Sequence, residues 1–286
     1  MNHSSPFENK EFASLFAKLR SPVSPLVGKA VVKLALIREG DTLLDLGCGP
    51  GLISKSIMKE KSLKQVLLVD FSKQMVLKAK ENLRGFKTNS TVKQVDLVSE
   101  DLETAIGPGK QFDHVIAIDL WHLLPDRRNL LRYLPGAISS KGNLTIALHR
   151  EVSQRKMKEW HEVRSEIRDE ITKSLVEKYP GFEFPIRSKG ATVHSDEIST
   201  FQKEISVAGF KLKKSHEDDN LADINQMVHH VPESLFIEAK RAEVKMQDSF
   251  LKKVINSAVK KSLNKRKNFE KIKIATEAFF VFEHAS

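Results

Sequence analysis

The run Thr42-Leu43-Leu44-Asp45-Leu46-Gly47-Cys48-Gly49-Pro50-Gly51-Leu52-Ile53-Ser54 (TLLDLGCGPGLIS) decides how the rest of the chain is read. A short apolar segment meets three glycines at alternate positions, and apolar residues then resume. A glycine loop between a strand and a helix lets backbone approach a ligand closely. Its amides and the helix N-terminus favour negative charge or a polar ligand edge. A dinucleotide fingerprint would read G-x-G-x-x-G. Here the spacing is Gly47-x-Gly49-x-Gly51, preceded by Asp45, and no further glycine follows where a nicotinamide or flavin site requires one.

Outward from this run, strand-like and helix-like segments alternate, as in a parallel sheet covered by helices. The expected strands are Thr42–Leu46, Gln65–Asp70, Ser90–Asp96, Phe112–Asp119 and Gly142–His149, with Gly209–Ser215 and Glu277–His284 closer to the end. Helices are expected at Gly51–Lys59, Ser72–Leu83 and Arg127–Ile138. Ser72 is a candidate N-cap for the second of these, with Met75, Ala79 and Leu83 at helical spacing. Ligands of open parallel sheets bind beyond the carboxyl ends of the strands. Asp70 ends its strand there and can accept hydrogen bonds from both hydroxyls of a ribose.

These motifs, taken in order, resemble the class I S-adenosylmethionine-dependent methyltransferases, whose first motif is an acid, an apolar residue and G-x-G-x-G. VDFSKQMVLKAKENL (Val69–Leu83) is similar to the family's second segment, and VKQVDL (Val92–Leu97) to the third. The stretch Phe112–Ala147 resembles the fourth strand, its histidine–leucine turn, a helix and a glycine turn into strand five. Asn143 stands where a second glycine is common.

The resemblance covers roughly residues 40–150. It implies an α/β fold: a Rossmann-like, seven-stranded, mostly parallel sheet with the last strand antiparallel, helices on both faces and helical lid insertions. It implies S-adenosyl-L-methionine as cofactor, with Gly47, Cys48, Gly49 and Gly51 around its methionine part and Asp45 near its amino group. Asp70 would take the ribose, Phe71 and Met75 would pack near the adenine, and Asp96 and Leu97 would contact the adenine edge. Asp119, Leu120, Trp121 and His122 would border the sulfonium and the acceptor. Each acid has a plainer alternative as a helix or turn cap, and Phe71 and Met75 as core.

The division expected is residues 1–38 as an N-terminal helical cover and 39–150 as the cofactor-binding core. Residues 151–194 form a helical insertion or lid. Residues 195–286 complete the sheet around a basic helical insertion at about 220–270. In the first insertion Trp160, Val163, Ile167, Ile171 and Leu175 make an amphipathic stripe.

Methyl transfer needs positioning more than a covalent catalyst, and a base only if the acceptor is a hydroxyl or ammonium. His122 and His149, at expected strand ends, are the candidate catalytic bases. Base-carbon methylation needs a cysteine on the fourth-strand segment, and the one cysteine, Cys48, lies in the glycine loop. An N/D-P-P-Y/F motif is absent, since the corresponding stretch reads Asp119-Leu120-Trp121-His122. The acid-x-x-aromatic pattern fails at His122. The favoured acceptor is a small molecule, at oxygen or nitrogen. A protein or RNA acceptor is the alternative within this class, and a non-catalytic nucleotide-binding module the alternative outside it.

The formal charge is +10, and Lys240–Lys273 holds twelve Lys/Arg against three acids. This segment could attract nucleic acid or an acidic partner. However, Phe250, Leu251, Val254, Ile255, Ala258 and Val259 form an apolar stripe opposite Lys252, Lys253, Lys260 and Lys261. That favours an ordinary packed helix. One cysteine allows no internal disulfide or thiolate metal cluster, and no metal site is expected. No run approaches the ~20 apolar residues of a membrane span. The first residues carry two acids and lack a secretory apolar core, so a cytoplasmic protein is expected.

Overall fold

The computed structural model describes residues 6–21, 23–86, 89–150, 154–183, 195–223, 235–236, 239, 246–264 and 273–285. Seven strands form one sheet: β1 (Thr42–Leu46), β2 (Gln65–Asp70), β3 (Ser90–Gln94), β4 (Phe112–Ile118), β5 (Ile138–Arg150), β6 (Phe210–Asp223) and β7 (Lys273–His284). Their order is β3-β2-β1-β4-β5-β7-β6. β1 pairs in parallel with β2 and β4, β2 with β3, and β4 with β5. The last strands run antiparallel, as the motif resemblance implies.

The helices are α1 (Lys10–Arg20), α2 (Ser24–Ala35), α3 (Leu52–Glu60), α4 (Lys73–Asn82), α5 (Leu102–Ile106), α6 (Arg128–Ala137), α7 (Gln154–Val176), α8 (Ser195–Val207) and α9 (Asp248–Asn264). Successive strand side chains alternate between faces, and both faces are apolar. Leu44, Leu46, Leu67, Val69, Val115, Ala117, Ile146 and Phe280 pack with Leu130, Leu134 and Phe201 of α6 and α8. On the other face α2 packs on α3 and β5, and α4 on β2. Chain reversal between β1 and β2 in one direction and β4 in the other opens the crevice at the strand tips.

Several boundaries differ from expectation. β6 runs on to Asp223 rather than ending at Ser215, and β7 begins at Lys273 rather than Glu277. β3 stops at Gln94, so Asp96 lies in the loop beyond it. β5 begins at Ile138, not Gly142, and its register with β4 is irregular: Phe112 faces Ile138, yet His114 faces Asn143. Gly142 is therefore a strand residue. A Cβ there would lie 2.8 Å from the Asp113 carbonyl oxygen, so the glycine permits a close backbone approach.

Asn143 also has a task. Buried at the end of the sheet away from the strand tips, its amide donates to the Ala35 carbonyl at 2.9 Å, and its Oδ1 is 3.2 Å from His114 Nδ1. It ties the last turn of α2 to β4 and β5. Asn143→Ala leaves two buried polar groups unmatched, each worth ~1–3 kcal/mol. The expected result is a loss of about 2 kcal/mol in urea unfolding with unchanged ligand affinity.

The chain divides into two compact units. The first holds residues 1–150, 193–218 and 277–286, the second 151–192 and 219–276. The second has its own core. Val163, Ile167, Ile171 and Leu175 of α7 are buried with Leu251, Ile255, Ala258 and Val259 of α9. The apolar stripe of the basic segment is thus packed, and Lys252, Lys253, Lys260 and Lys261 are exposed opposite it. The remainder of 240–273, outside 246–264 and the start of β7, lies outside the described residues. So does the Trp160 side chain. No described helix is long and apolar enough to cross a membrane.

Candidate active site

β1 delivers the chain to a loop whose three glycines all have left-handed backbone, with φ of 64° at Gly47, 52° at Gly49 and 72° at Gly51. L-residues rarely adopt this conformation. Gly47 is constrained further, since a Cβ there would lie 2.6 Å from Leu120 Cδ1. Gly51 caps α3 and approaches Ala79, where a Cβ would sit 3.1 Å from the alanine Cβ. The Cys48 amide donates to the Val69 carbonyl, which fastens the loop to β2.

Carboxylates at neighbouring strand tips hold this loop. Asp70 Oδ2 accepts the Gly49 amide at 2.8 Å, and its Oδ1 accepts the Ser72 amide at 2.9 Å. Burial pushes the Asp70 carboxyl up, against the pull of these two amides. Asp45 is 3 % exposed and accepts the Ser54 hydroxyl at 2.6 Å. Burial raises its carboxyl to about 7, with Ser54 opposing and the charge of Asp70 reinforcing the rise. Burial beside both acids also pushes the Cys48 thiol up, so the thiol stays protonated and serves as packing.

A cavity of about 460 Å³ lies over the loop, within the range of small-ligand sites. Asp45, Gly47, Cys48, Gly49, Asp70, Phe71, Met75, Asp96, Leu97 and Asp119 all line it; Gly51 does not. Met75 is 1 % exposed, whereas Phe71 is 43 % exposed at the rim. Asp96 spends both oxygens on a local turn, accepting the Val98 amide through Oδ1 and the Ser99 hydroxyl through Oδ2. Val98 also lines the cavity.

Of the expected acceptor border, Asp119 and Leu120 line the cavity. Trp121 is 2 % exposed and packs edge-on against Phe201 in the core. The cavity wall runs from Asp119 and Leu120 to Leu123, Leu124 and Pro125 without Trp121 or His122. Trp121 and His122 belong to a 3₁₀ turn, Trp121–Leu123, whose last residue, Leu123, does line the wall. His149 lies in β5, and its side chain is outside the described residues.

Four lining residues, Phe7, Phe16, Arg20 and Ser24, come from a segment before β1 that the motifs do not reach, and three of them shape the wall. Phe7 meets Phe12, Phe16 and Phe71 edge-to-face, and its carbonyl accepts the Ser72 hydroxyl at 2.6 Å. Arg20 Nη2 lies 2.7 Å from Asp119 Oδ2. Burial disfavours the Arg20 charge, yet Asp119 and Glu277 outweigh it and hold the guanidinium more firmly protonated than usual. The four-residue spacing of Phe12, Phe16 and Arg20 puts them on one face of α1, although nothing local in the sequence shows that this face meets the cavity.

A glycine loop clamped by a strand-tip acid, under a cavity at the switch of an open parallel sheet, defines a Rossmann-like nucleoside site. The particular family follows from the match of a methyltransferase-domain model to residues 37–204. The chain belongs to this family of methyltransferase domains. Ribosomal protein L11 methyltransferases of Thermotoga neapolitana and Thermotoga petrophila are 39% and 41% identical to it over 64 residues. That is 22% of this chain, and only 24% of the relatives' length. The [4+2]-cyclase SpnF superposes with a TM-score of 0.57 at 13% identity, covering 92% of this chain and 81% of that one. Haemonchus contortus phosphoethanolamine N-methyltransferase 2, in complex with S-adenosyl-L-methionine, gives 0.55 at 15%, covering 97% and 58%. Coclaurine N-methyltransferase gives 0.53 at 14%, covering 91% and 70%. These likenesses show the fold; a cyclase among them means that the site, not the fold, must select the reaction.

Proposed function

We propose that this protein transfers the methyl group of S-adenosylmethionine to a small-molecule acceptor, at oxygen or nitrogen, in the cytoplasm. The observation that carries the reading is the cavity with Asp45, Asp70 and the Gly49 amide converging on its floor. These residues fit the cofactor. Gly47, crowded by Leu120 where a Cβ would be, lines the cavity without a side chain of its own. Asp70 keeps one lone pair on each oxygen for the two ribose hydroxyls. Asp45 offers a buried carboxyl to the amino group.

When bound, the cofactor supplies a methyl on a positively charged sulfur. The chain's task is then to orient and desolvate. Phe7, Phe16 and Phe71 close one side, and Leu120, Leu123 and Leu124 the other, so water is kept from the reacting atoms. The cavity is small and apolar-walled, which supports a small acceptor over a protein or RNA. The lone cysteine is consistent with a reducing compartment.

The test is a labelled-methyl assay on metabolite extracts, with adenosylhomocysteine quantified in parallel. Stoichiometric formation of adenosylhomocysteine and a labelled small molecule is the expected result. Tight cofactor binding with no adenosylhomocysteine formed would identify a binding module or a different reaction.

A further inference from the structure

We propose that the acceptor is an amine that enters the cavity as its ammonium and is received by Asp119, a place that Arg20 holds in the free protein. This rests on the reading of the cavity as the methyl-transfer site.

Asp119 follows β4 with φ of 54°, one of two non-glycine residues with left-handed backbone among those described. Such strain is stored where a side chain must take a particular direction. The Asp119 amide donates to the Ala147 carbonyl at 2.9 Å, which pins the residue across the β4 and β5 tips. Its carboxyl lines the cavity with Leu120, at the tip of the strand on the other side of β1 from the Asp70 strand. One oxygen takes the Arg20 guanidinium at 2.7 Å; the other, Oδ1, is buried and has no hydrogen-bond partner. A carboxylate with an unmatched buried oxygen lacks a donor that the free protein does not supply.

The protein's own cation already marks what fits there. Arg20 reaches Asp119 from the last turn of α1 and lines the same cavity. Its Nη1 lies 3.8 Å from Oε1 of the fully buried Glu277, so the guanidinium has a second carboxylate to lean on when Asp119 is taken. Among the described lining residues Arg20 is the one cation, against the carboxyls of Asp45, Asp70, Asp96 and Asp119. An anionic acceptor meets repulsion on this wall, whereas an ammonium brings charge and three donors to the idle oxygen. Leu123, Leu124 and Pro125 beside it suit an apolar body behind the amine.

The chemistry closes. The ammonium loses one proton to Asp119 and on to water, which frees the nitrogen lone pair. A C–N bond forms as the S–C bond breaks, the sulfur keeps the bonding pair, and the product leaves as a methylated ammonium with neutral adenosylhomocysteine.

The experiment uses the full chain saturated with adenosylhomocysteine, titrated calorimetrically with shape-matched probes: phenylalkylamines, the corresponding alcohols and the corresponding carboxylates. Amines are expected to bind at least tenfold tighter than either matched class. Asp119→Asn should erase that preference, and Arg20→Gln, which removes the competing cation, should tighten amine binding severalfold. Circular dichroism confirms that each variant is folded, and the Arg20 variant decides alone if the other is not. Equal affinity for the three classes, a preference for alcohols or carboxylates, or weaker amine binding in Arg20→Gln would overturn the proposal. Failure of adenosylhomocysteine itself to bind would instead bring down the reading of the cavity.

Discussion

Replacing Asp70 with alanine raises the dissociation constant for S-adenosylmethionine at least a hundredfold in calorimetric titration. Each Asp70 oxygen already accepts one amide, from Gly49 or from Ser72. The remaining lone pairs border the cavity and can take the two ribose hydroxyls. Hydrogen bonds to a charged group contribute ~1.5–3 kcal/mol each, so losing two costs about 3–6 kcal/mol, a hundredfold or more in affinity. The same change frees the Gly49 amide and loosens the loop that approaches the ligand, which adds to the loss. Stability responds less, because two unmatched amides are partly offset by removing a buried carboxylate whose ionisation burial already opposes. The expected variant therefore melts cooperatively within a few degrees of the parent yet binds the cofactor at least a hundredfold more weakly. A dissociation constant within threefold of the parent would refute the assignment of Asp70 to the ribose.

That prediction uses the part of the molecule most legible in its sequence. Strand β1, the glycines after it and the acids ending β1 and β2 are local patterns. Each depends on backbone conformations that only a few residue types adopt, so spacing alone reveals them. Arg20 was not legible in this way. Its partner Asp119 is brought to it by the sheet, and no local rule links the last turn of α1 to the tip of β4. Asp119 carried no sign of its left-handed backbone either, because aspartate tolerates that conformation without requiring it. The start of β5, expected at Gly142 and found at Ile138, differs for the opposite reason. A glycine beside Lys141 and Asn143 reads as a turn, but here it relieves a contact with the Asp113 carbonyl inside an irregular pairing of β4 and β5. Trp121 sits in a motif that borders the acceptor by resemblance, and it is buried against Phe201, a partner that no local pattern reveals.

Asp45→Asn stabilises the free protein at pH 8 and leaves it nearly unchanged at pH 4. An acid whose folded value lies above its unfolded one holds its proton more tightly when folded. Its stabilising effect is whole below the unfolded value and drains away as pH rises through the folded one. For Asp45 that window runs from 3.8 to about 7. At about 1.4 kcal/mol per pH unit, the parent loses up to about 4 kcal/mol across it. Asparagine has no charge to desolvate, and its Oδ1 can still accept the Ser54 hydroxyl. Asp70 is also raised and adds a slope of the same sign, so the difference between parent and variant, not the parent alone, isolates Asp45. Ligand binding reverses the preference. A cofactor ammonium beside Asp45 favours the ionised carboxylate, so cofactor affinity rises between pH 5.5 and 7 and binding releases a proton there. Urea unfolding at pH 4, 6 and 8, with binding calorimetry in buffers of different ionisation enthalpy, measures both effects. A parent stability that climbs with pH relative to Asp45→Asn would show that the carboxyl is ionised and partnered in the free protein. The ammonium would then have no desolvated acid to neutralise.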